Sequence, residues 1–186
     1  PDEIMSALSE YMAGGGAEEW REIVFCGYGE PMLCFDTILD VARGIRQTWP
    51  DKRIRINTNG HGLLIHPDRD IVSEMVPAHR QEAAIPSPRR QESLPDDPTM
   101  RLIDAVSVSL NAPNAASYKR LCRPEFGEQA YAAIIEFARQ CVAAGIETTL
   151  TAVDYGDVSS DALSETARLI GADFHLRPLY GRTRLP

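Results

Sequence analysis

The chain switches repeatedly between two hydrophobic periods, and that alternation restricts its fold more than any other feature of its 186 residues. Ile4, Leu8 and Tyr11 recur at i, i+4 and i+7, which predicts one face of a helix ended by Gly14, Gly15 and Gly16. Residues 22–26 form a short β-rich apolar run and predict a strand. Asp36 is placed to cap a second helix with the stripe Ile38, Ala42, Ile45 and Trp49, stopped by Pro50. A strand over 53–57 and a helix over 69–76 follow. Beyond residue 102 the alternation continues with a strand over 105–110 and helices over 115–121 and 128–144. Then come a strand over 146–153, a helix beginning at Ser160 or Asp161, and a strand over 173–179. Strands that alternate with helices build parallel βα units with right-handed crossovers.

Residues 77–99 interrupt this pattern. Pro77, Pro86, Pro88, Pro95 and Pro98 stand among Arg, Gln, Glu, Ser and Asp. Such a segment cannot bury enough apolar area to offset its ordering entropy. It is expected to be a disordered insertion in what is otherwise a single domain spanning 1–186.

The strands also carry a second pattern. Ser107, Ser109 and Asn111 share one face, opposite Val106, Val108 and Leu110. Arg55, Asn57 and Asn59 share a face, as do Thr149 and Thr151, and His175 and Arg177. A parallel strand covered on both sides is apolar on both. A polar face on four strands therefore points to an open or wide barrel with a polar ligand along its inner wall. The alternative is a flat sheet with one solvated face.

Composition narrows the function classes. The formal charge of −8 argues against a general phosphate-backbone binder, so nucleic acid is an unexpected partner. No apolar run approaches the ~20 residues of a membrane-spanning helix, and no secretory leader opens the chain, so a cytoplasmic protein is expected. Cys26, Cys34, Cys122 and Cys141 lack framework spacing and are read as free thiols.

One turn stands out. Cys26-Gly27-Tyr28-Gly29-Glu30-Pro31 directly follows a strand, at the edge where parallel βα sheets bind ligands. Gly27 and Gly29 allow close backbone approach, Glu30 offers a carboxylate suited to an ammonium group, and Pro31 fixes the turn. The run resembles the Gly-Glu motif that holds the methionine amino group in radical SAM enzymes. Three further motifs extend the likeness: Asn57-Thr58-Asn59-Gly60, Ser107-Val108-Ser109-Leu110-Asn111-Ala112-Pro113, and Tyr118-Lys119-Arg120-Leu121-Cys122-Arg123-Pro124. Together they resemble the radical SAM proteins associated with TatD-type nucleases.

That resemblance implies a partial parallel (βα) barrel of the α/β class, open on one side and lacking its first strand. It implies S-adenosylmethionine as cofactor, held by Gly27, Gly29, Glu30, Pro31 and Asn59. Ser109 and Asn111 would meet the ribose or the methionine carboxylate, and Arg123 would pair with that carboxylate. Thr149, Thr151 and Val153 would flank the adenine, chiefly through backbone groups, opposite Leu179 and Tyr180. The implied reaction is reductive cleavage of S-adenosylmethionine to a 5′-deoxyadenosyl radical, followed by hydrogen abstraction from an unknown substrate. A functional link to a TatD-type nuclease is implied as well.

The resemblance stops at the iron–sulfur cluster. The family binds its 4Fe-4S cluster through CxxxCxxC, and no pair of cysteines here has that spacing. The expectation is that the first strand and the cluster loop lie upstream, leaving this chain inactive alone and without metal ligands or catalytic residues of its own. A degenerate protein that has lost its cluster is the competing explanation. Two other functions stay open: a non-catalytic S-adenosylmethionine-binding or interaction module, and a metal-dependent barrel hydrolase using Glu30, His61, His66 and His175.

Overall fold

The computed structural model describes residues 1–14, 21–76, 101–156 and 159–179. The expected insertion at 77–99, the glycines 15 and 16, and Tyr180 lie outside them. Five strands form one sheet: β1 (Glu22–Phe25), β2 (Arg53–Thr58), β3 (Ala105–Ser109), β4 (Glu147–Asp154) and β5 (Asp173–Pro178). Every neighbouring pair is parallel, and the spatial order is the chain order, β1-β2-β3-β4-β5. A doubly wound sheet reverses its order at a switch point, where its ligand binds. This sheet never reverses. With right-handed crossovers, its helices accumulate on one face, as in a barrel. The fold is thus an open, all-parallel α/β sheet of partial-barrel type.

The helical layer holds α1 (Asp2–Ala13), α2 (Phe35–Thr48), α3 (Gly62–Ile65), α4 (Ile71–Met75), α5 (Ala115–Cys122), α6 (Gln129–Ala143) and α7 (Ser160–Ile170). Ile54, Ile56, Val106, Val108, Leu150 and Ala152 turn toward it and are fully buried. They meet Phe35, Ile38, Ala42 and Ile45 of α2, Ile134, Phe137 and Cys141 of α6, and Leu163 and Ala167 of α7 in one core. Each large apolar side chain so buried contributes ~1.5–3 kcal/mol, which outweighs the weak propensity of these short elements.

Four local expectations need correction. In α1 the inward stripe is Met5, Leu8 and Met12, at i, i+3 and i+7, while Ile4 and Tyr11 are 42% and 65% exposed. The reason is Gly44 of α2: a Cβ there would lie 2.9 Å from the Met5 sulfur, so the glycine admits Met5. Asp36 sits inside the first turn of α2, because a 3-10 turn over Pro31–Cys34 comes first and makes Cys34 the cap. The cap of α7 is Ser159, one residue earlier than expected; its hydroxyl accepts from the Ala162 N–H. The helix expected over 69–76 is shorter, Ile71–Met75, and Asp70 caps it.

The opposite face of the sheet is the polar one. Asn57, His175 and Arg177 are exposed, and Arg55, Ser107, Ser109 and Thr149 are half-buried. At its N-terminal end, charges cancel. Arg55 donates twice to Glu22, both at 3.0 Å, and Arg53 donates to Glu147 at 2.7 Å. Among the described residues, the C-terminal end carries no such network.

Candidate functional site

The site begins where β1 ends. Pro31 opens the 3-10 turn, where its missing N–H costs nothing, and Glu30 is the residue before it. The Glu30 backbone is extended there, and its side chain folds back over the turn. Oε1 accepts from the Met32 N–H at 3.1 Å and from the Thr58 hydroxyl at 2.5 Å. Oε2 accepts from the Asn59 N–H at 2.7 Å. Thr58 cannot reverse its role, because its oxygen also accepts from the Gly60 N–H at 3.0 Å and its single hydrogen must go to Glu30. A carboxylate has about four acceptor positions. Three are filled here, and the fourth, on Oε2, is uncommitted among the described residues.

Gly60 makes this clamp geometrically possible. Its φ of +82° suits glycine, and a Cβ would stand 2.8 Å from Val108 Cγ1. The chain can therefore turn tightly after β2 and bring Thr58 and Asn59 back to Glu30. Asn59 is fixed in turn: its Oδ1 accepts from the His61 N–H at 2.8 Å. Its amide hydrogens then have no acceptor among the described residues.

Two adjoining clefts share Glu30, Asn59 and Ser109. One, of about 490 Å³, runs toward Gly27, Gly29, Asn57 and Arg177. The other, of about 380 Å³, runs toward Asn111, Arg123, His61, Tyr118, Cys122 and Phe126. Together they make one groove along the C-terminal edge of the sheet. Gly27, Gly29, Glu30 and Pro31 also border a third, largely apolar recess of about 340 Å³ beside α1 and α2.

The structure therefore gathers Gly27, Gly29, Glu30, Asn59, Ser109, Asn111 and Arg123 around one groove. Pro31 shapes the turn but lines only the third recess. Thr151 and Val153 line none of these clefts. Thr151 is 4% exposed, with its hydroxyl 3.5 Å from the Val108 carbonyl and its own carbonyl accepting from Leu110 and Asn111. The Val153 N–H donates to Asn111 Oδ1 at 3.2 Å. Both hold the loop after β3 against β4.

Asn111 and Arg123 are the two non-glycine residues with positive φ, 55° and 47°, among those described. Each lies in the left-handed region, which asparagine tolerates and arginine adopts at a cost. Arg123 ends α5 and returns its N–H to the Lys119 carbonyl. Strained residues persist only where their surroundings enforce them, and both line the same cleft.

Sequence reasoning did not place His61, Tyr118 and Cys122 in this groove. His61 is 5% exposed; its Nε2 lies 3.1 Å from the Tyr118 hydroxyl, and its ring meets Phe126 edge-on at 5.6 Å. Burial lowers its pKa, although Glu30 pulls the other way. Burial raises Tyr118, with Cys122 adding to the shift. Burial also raises the Cys122 thiol, against the pull of Asn111 and Tyr118 beside it. The back of the cleft is thus neutral at ordinary pH. The available signal was the four-residue spacing of Tyr118 and Cys122, which puts them on one face of α5.

The four residues considered as metal ligands do not meet. His66 Nε2 lies 2.7 Å from the Met32 carbonyl, with its ring beside Phe35. His61 is committed to Tyr118, and His175 is exposed on β5. Among the described residues, no three His, Cys, Asp or Glu side chains are grouped to hold a metal ion. None of the helices among them is long and apolar enough to cross a membrane.

No known protein family matches the chain, and no curated protein does. Among solved structures, the chain is similar to a radical SAM methyltransferase from Sphaerobacter thermophilus, with 15% identity and a TM-score of 0.49. The match covers 94% of this chain and 55% of that one, so the chain spans about half the length of that structure.

Proposed function

We propose that this chain is the S-adenosylmethionine-binding part of a radical SAM enzyme. The observation that carries the reading is the Glu30 clamp. Three donors fix the carboxylate and leave one acceptor position, which can take one of the three N–H donors of an α-ammonium group in a charge-assisted bond. Arg123 borders the same 380 Å³ cleft and has no acidic partner among the described residues, so it supplies the bidentate donor for an α-carboxylate. An ammonium acceptor and a carboxylate donor beside one cleft are what an amino-acid moiety requires. The four sequence motifs that resemble the radical SAM class select S-adenosylmethionine from among such ligands.

In that class the bound cofactor, given one electron by the 4Fe-4S cluster, would supply the 5′-deoxyadenosyl radical that abstracts hydrogen from substrate. The work of this chain's own residues is narrower. Glu30 and Arg123 orient the amino-acid end, Gly27 and Gly29 let the ligand approach the backbone, and His61, Tyr118 and Phe126 close the back of the cleft. The cysteines do not fit a cluster: Cys26 and Cys34 are exposed, Cys122 belongs to the tyrosine–histidine pocket, and Cys141 is buried in the core. The role assigned here is therefore cofactor binding. That mismatch also favours a second reading, a binding module without the radical chemistry. A cytoplasmic location and a link to a TatD-type nuclease rest on composition and on the motif resemblance.

Calorimetric titration of the chain with S-adenosylmethionine and with S-adenosylhomocysteine tests the proposal. Saturable binding is expected, weakened about tenfold or more by Glu30→Gln, the usual loss for a charge-assisted hydrogen bond. Binding that is absent, or unaffected by Glu30→Gln, overturns it.

A further inference from the structure

The half of the groove that runs away from Arg123 has a chemistry of its own. Most of its acceptors are engaged: three of the four Glu30 positions face Met32, Thr58 and Asn59, and Asn59 Oδ1 accepts from His61. Its donors are not. The Asn59 amide hydrogens, the Asn57 side chain, the Ser109 hydroxyl and the Arg177 guanidinium have no hydrogen-bond partner among the described residues. Gly27 and Gly29 add backbone with no side chain to screen it.

Arg177 gains its place from register. It is the fifth residue of β5, opposite Val153, and it shares the open face with His175 two residues earlier. Among the described residues no acid pairs with it, whereas Arg53 and Arg55 at the other end of the same face are both neutralised by Glu22 and Glu147. A cation with no acidic partner among the described residues, set among free donors, favours an anion at this end of the groove.

We infer that this half of the groove, built on Arg177, binds the oxyanion group of the substrate, a carboxylate or a phosphate ester. The inference rests on the cofactor reading only for the word substrate, since Glu30 and Arg123 would already serve the amino-acid end of the cofactor. Arg177 then provides the planar fork, and Asn57, Asn59 and Ser109 provide neutral donors around it.

The test uses the full chain, labelled with ¹⁵N, titrated separately with inorganic phosphate and with acetate at constant ionic strength. Saturable shifts are expected at the Gly27 and Gly29 amides and at the Asn57 and Asn59 side chains. Arg177→Gln should weaken them about tenfold or more, Arg177→Lys should weaken them less, and Arg139→Gln, an exposed charge elsewhere, should leave them unchanged. Saturation by phosphate alone assigns a phosphate ester, and saturation by acetate alone assigns a carboxylate. Absence of saturation with both anions, or equal weakening by Arg139→Gln, overturns the inference. Titration with S-adenosylhomocysteine separates the two proposals. If it binds and Arg177→Gln weakens it as much as phosphate, the anion is the cofactor's own carboxylate and the substrate assignment falls. If it fails to bind while phosphate still saturates, the cofactor reading falls and the anion subsite stands.

Discussion

Glu30→Gln should destabilise the folded chain as well as weaken ligand binding, and the amount follows from its hydrogen bonds. Glutamine keeps one acceptor oxygen and replaces the other with an NH₂ group. The oxygen will turn to the side that holds two donors, the Thr58 hydroxyl at 2.5 Å and the Met32 N–H at 3.1 Å. The NH₂ group then confronts the Asn59 N–H, which now donates at 2.7 Å. One charge-assisted bond, ~1.5–3 kcal/mol, is lost, and the two that remain fall to about half their strength. Glu30 is only half-buried, so water recovers part of this. The expected net loss is about 2 kcal/mol. With a urea m value of ~2 kcal/mol/M, the unfolding midpoint drops by about 1 M at unchanged m. Thr58→Val removes the facing hydroxyl, and a double-mutant cycle with Glu30→Gln should return a coupling of about 1 kcal/mol. A midpoint that moves by less than about 0.2 M, or a coupling near zero, would refute the claim that these donors preorganise the carboxylate.

Two further outcomes are expected. Because burial holds His61 below the ordinary imidazole value of 6.5, the unfolded chain binds more protons than the folded one from pH 6.5 down to that lowered value. Stability should therefore fall as pH drops through this window, and His61→Gln should flatten the slope of urea midpoints measured across it; equal slopes in the two proteins would contradict this account. Thiol titration with a disulfide reagent near pH 8 should modify the exposed Cys26 and Cys34 quickly and Cys122 slowly, and should reach Cys141, whose thiol burial pushes up to about 12, only after denaturation; rapid modification of Cys141 in the native chain would show that α6 does not seal the core.

Much of the architecture was legible because it rests on periodicity. The stripe Ile38, Ala42 and Ile45 and the strand pair Val106 and Val108 bury as their spacing predicts. What failed was local and physical. The α1 stripe was misread because its partner is a glycine on another helix, and nothing in residues 2–13 announces Gly44. Asp36 was read as a cap because the 3-10 turn before α2 is stabilised by Glu30, a residue whose more conspicuous feature was its carboxylate. Thr151 and Val153 share the parity of site residues, but parity does not show that backbone groups of β4 bond to the loop after β3. His61 was considered only as a metal ligand because a lone histidine carries no pattern; its burial depends on Tyr118 and Phe126, far away in sequence.

The polar face shows how one alternation can encode two tasks. At the N-terminal end of the strands it carries two acids and two bases, Glu22, Glu147, Arg53 and Arg55, close enough to pair within the sheet. Exposed pairs of this kind add little stability. Their consequence is that these four charges are spent on one another. At the C-terminal end, Glu30 is held by three uncharged donors and pairs with neither Arg123 nor Arg177, and both arginines remain without an acidic partner among the described residues. Had Glu30 paired with either arginine, the groove would have lost an ammonium acceptor and an oxyanion donor together. The three neutral bonds to Glu30 therefore hold the carboxylate and also keep the opposite charges of the groove apart, so that a ligand carrying both an ammonium group and an oxyanion finds each complement unspent.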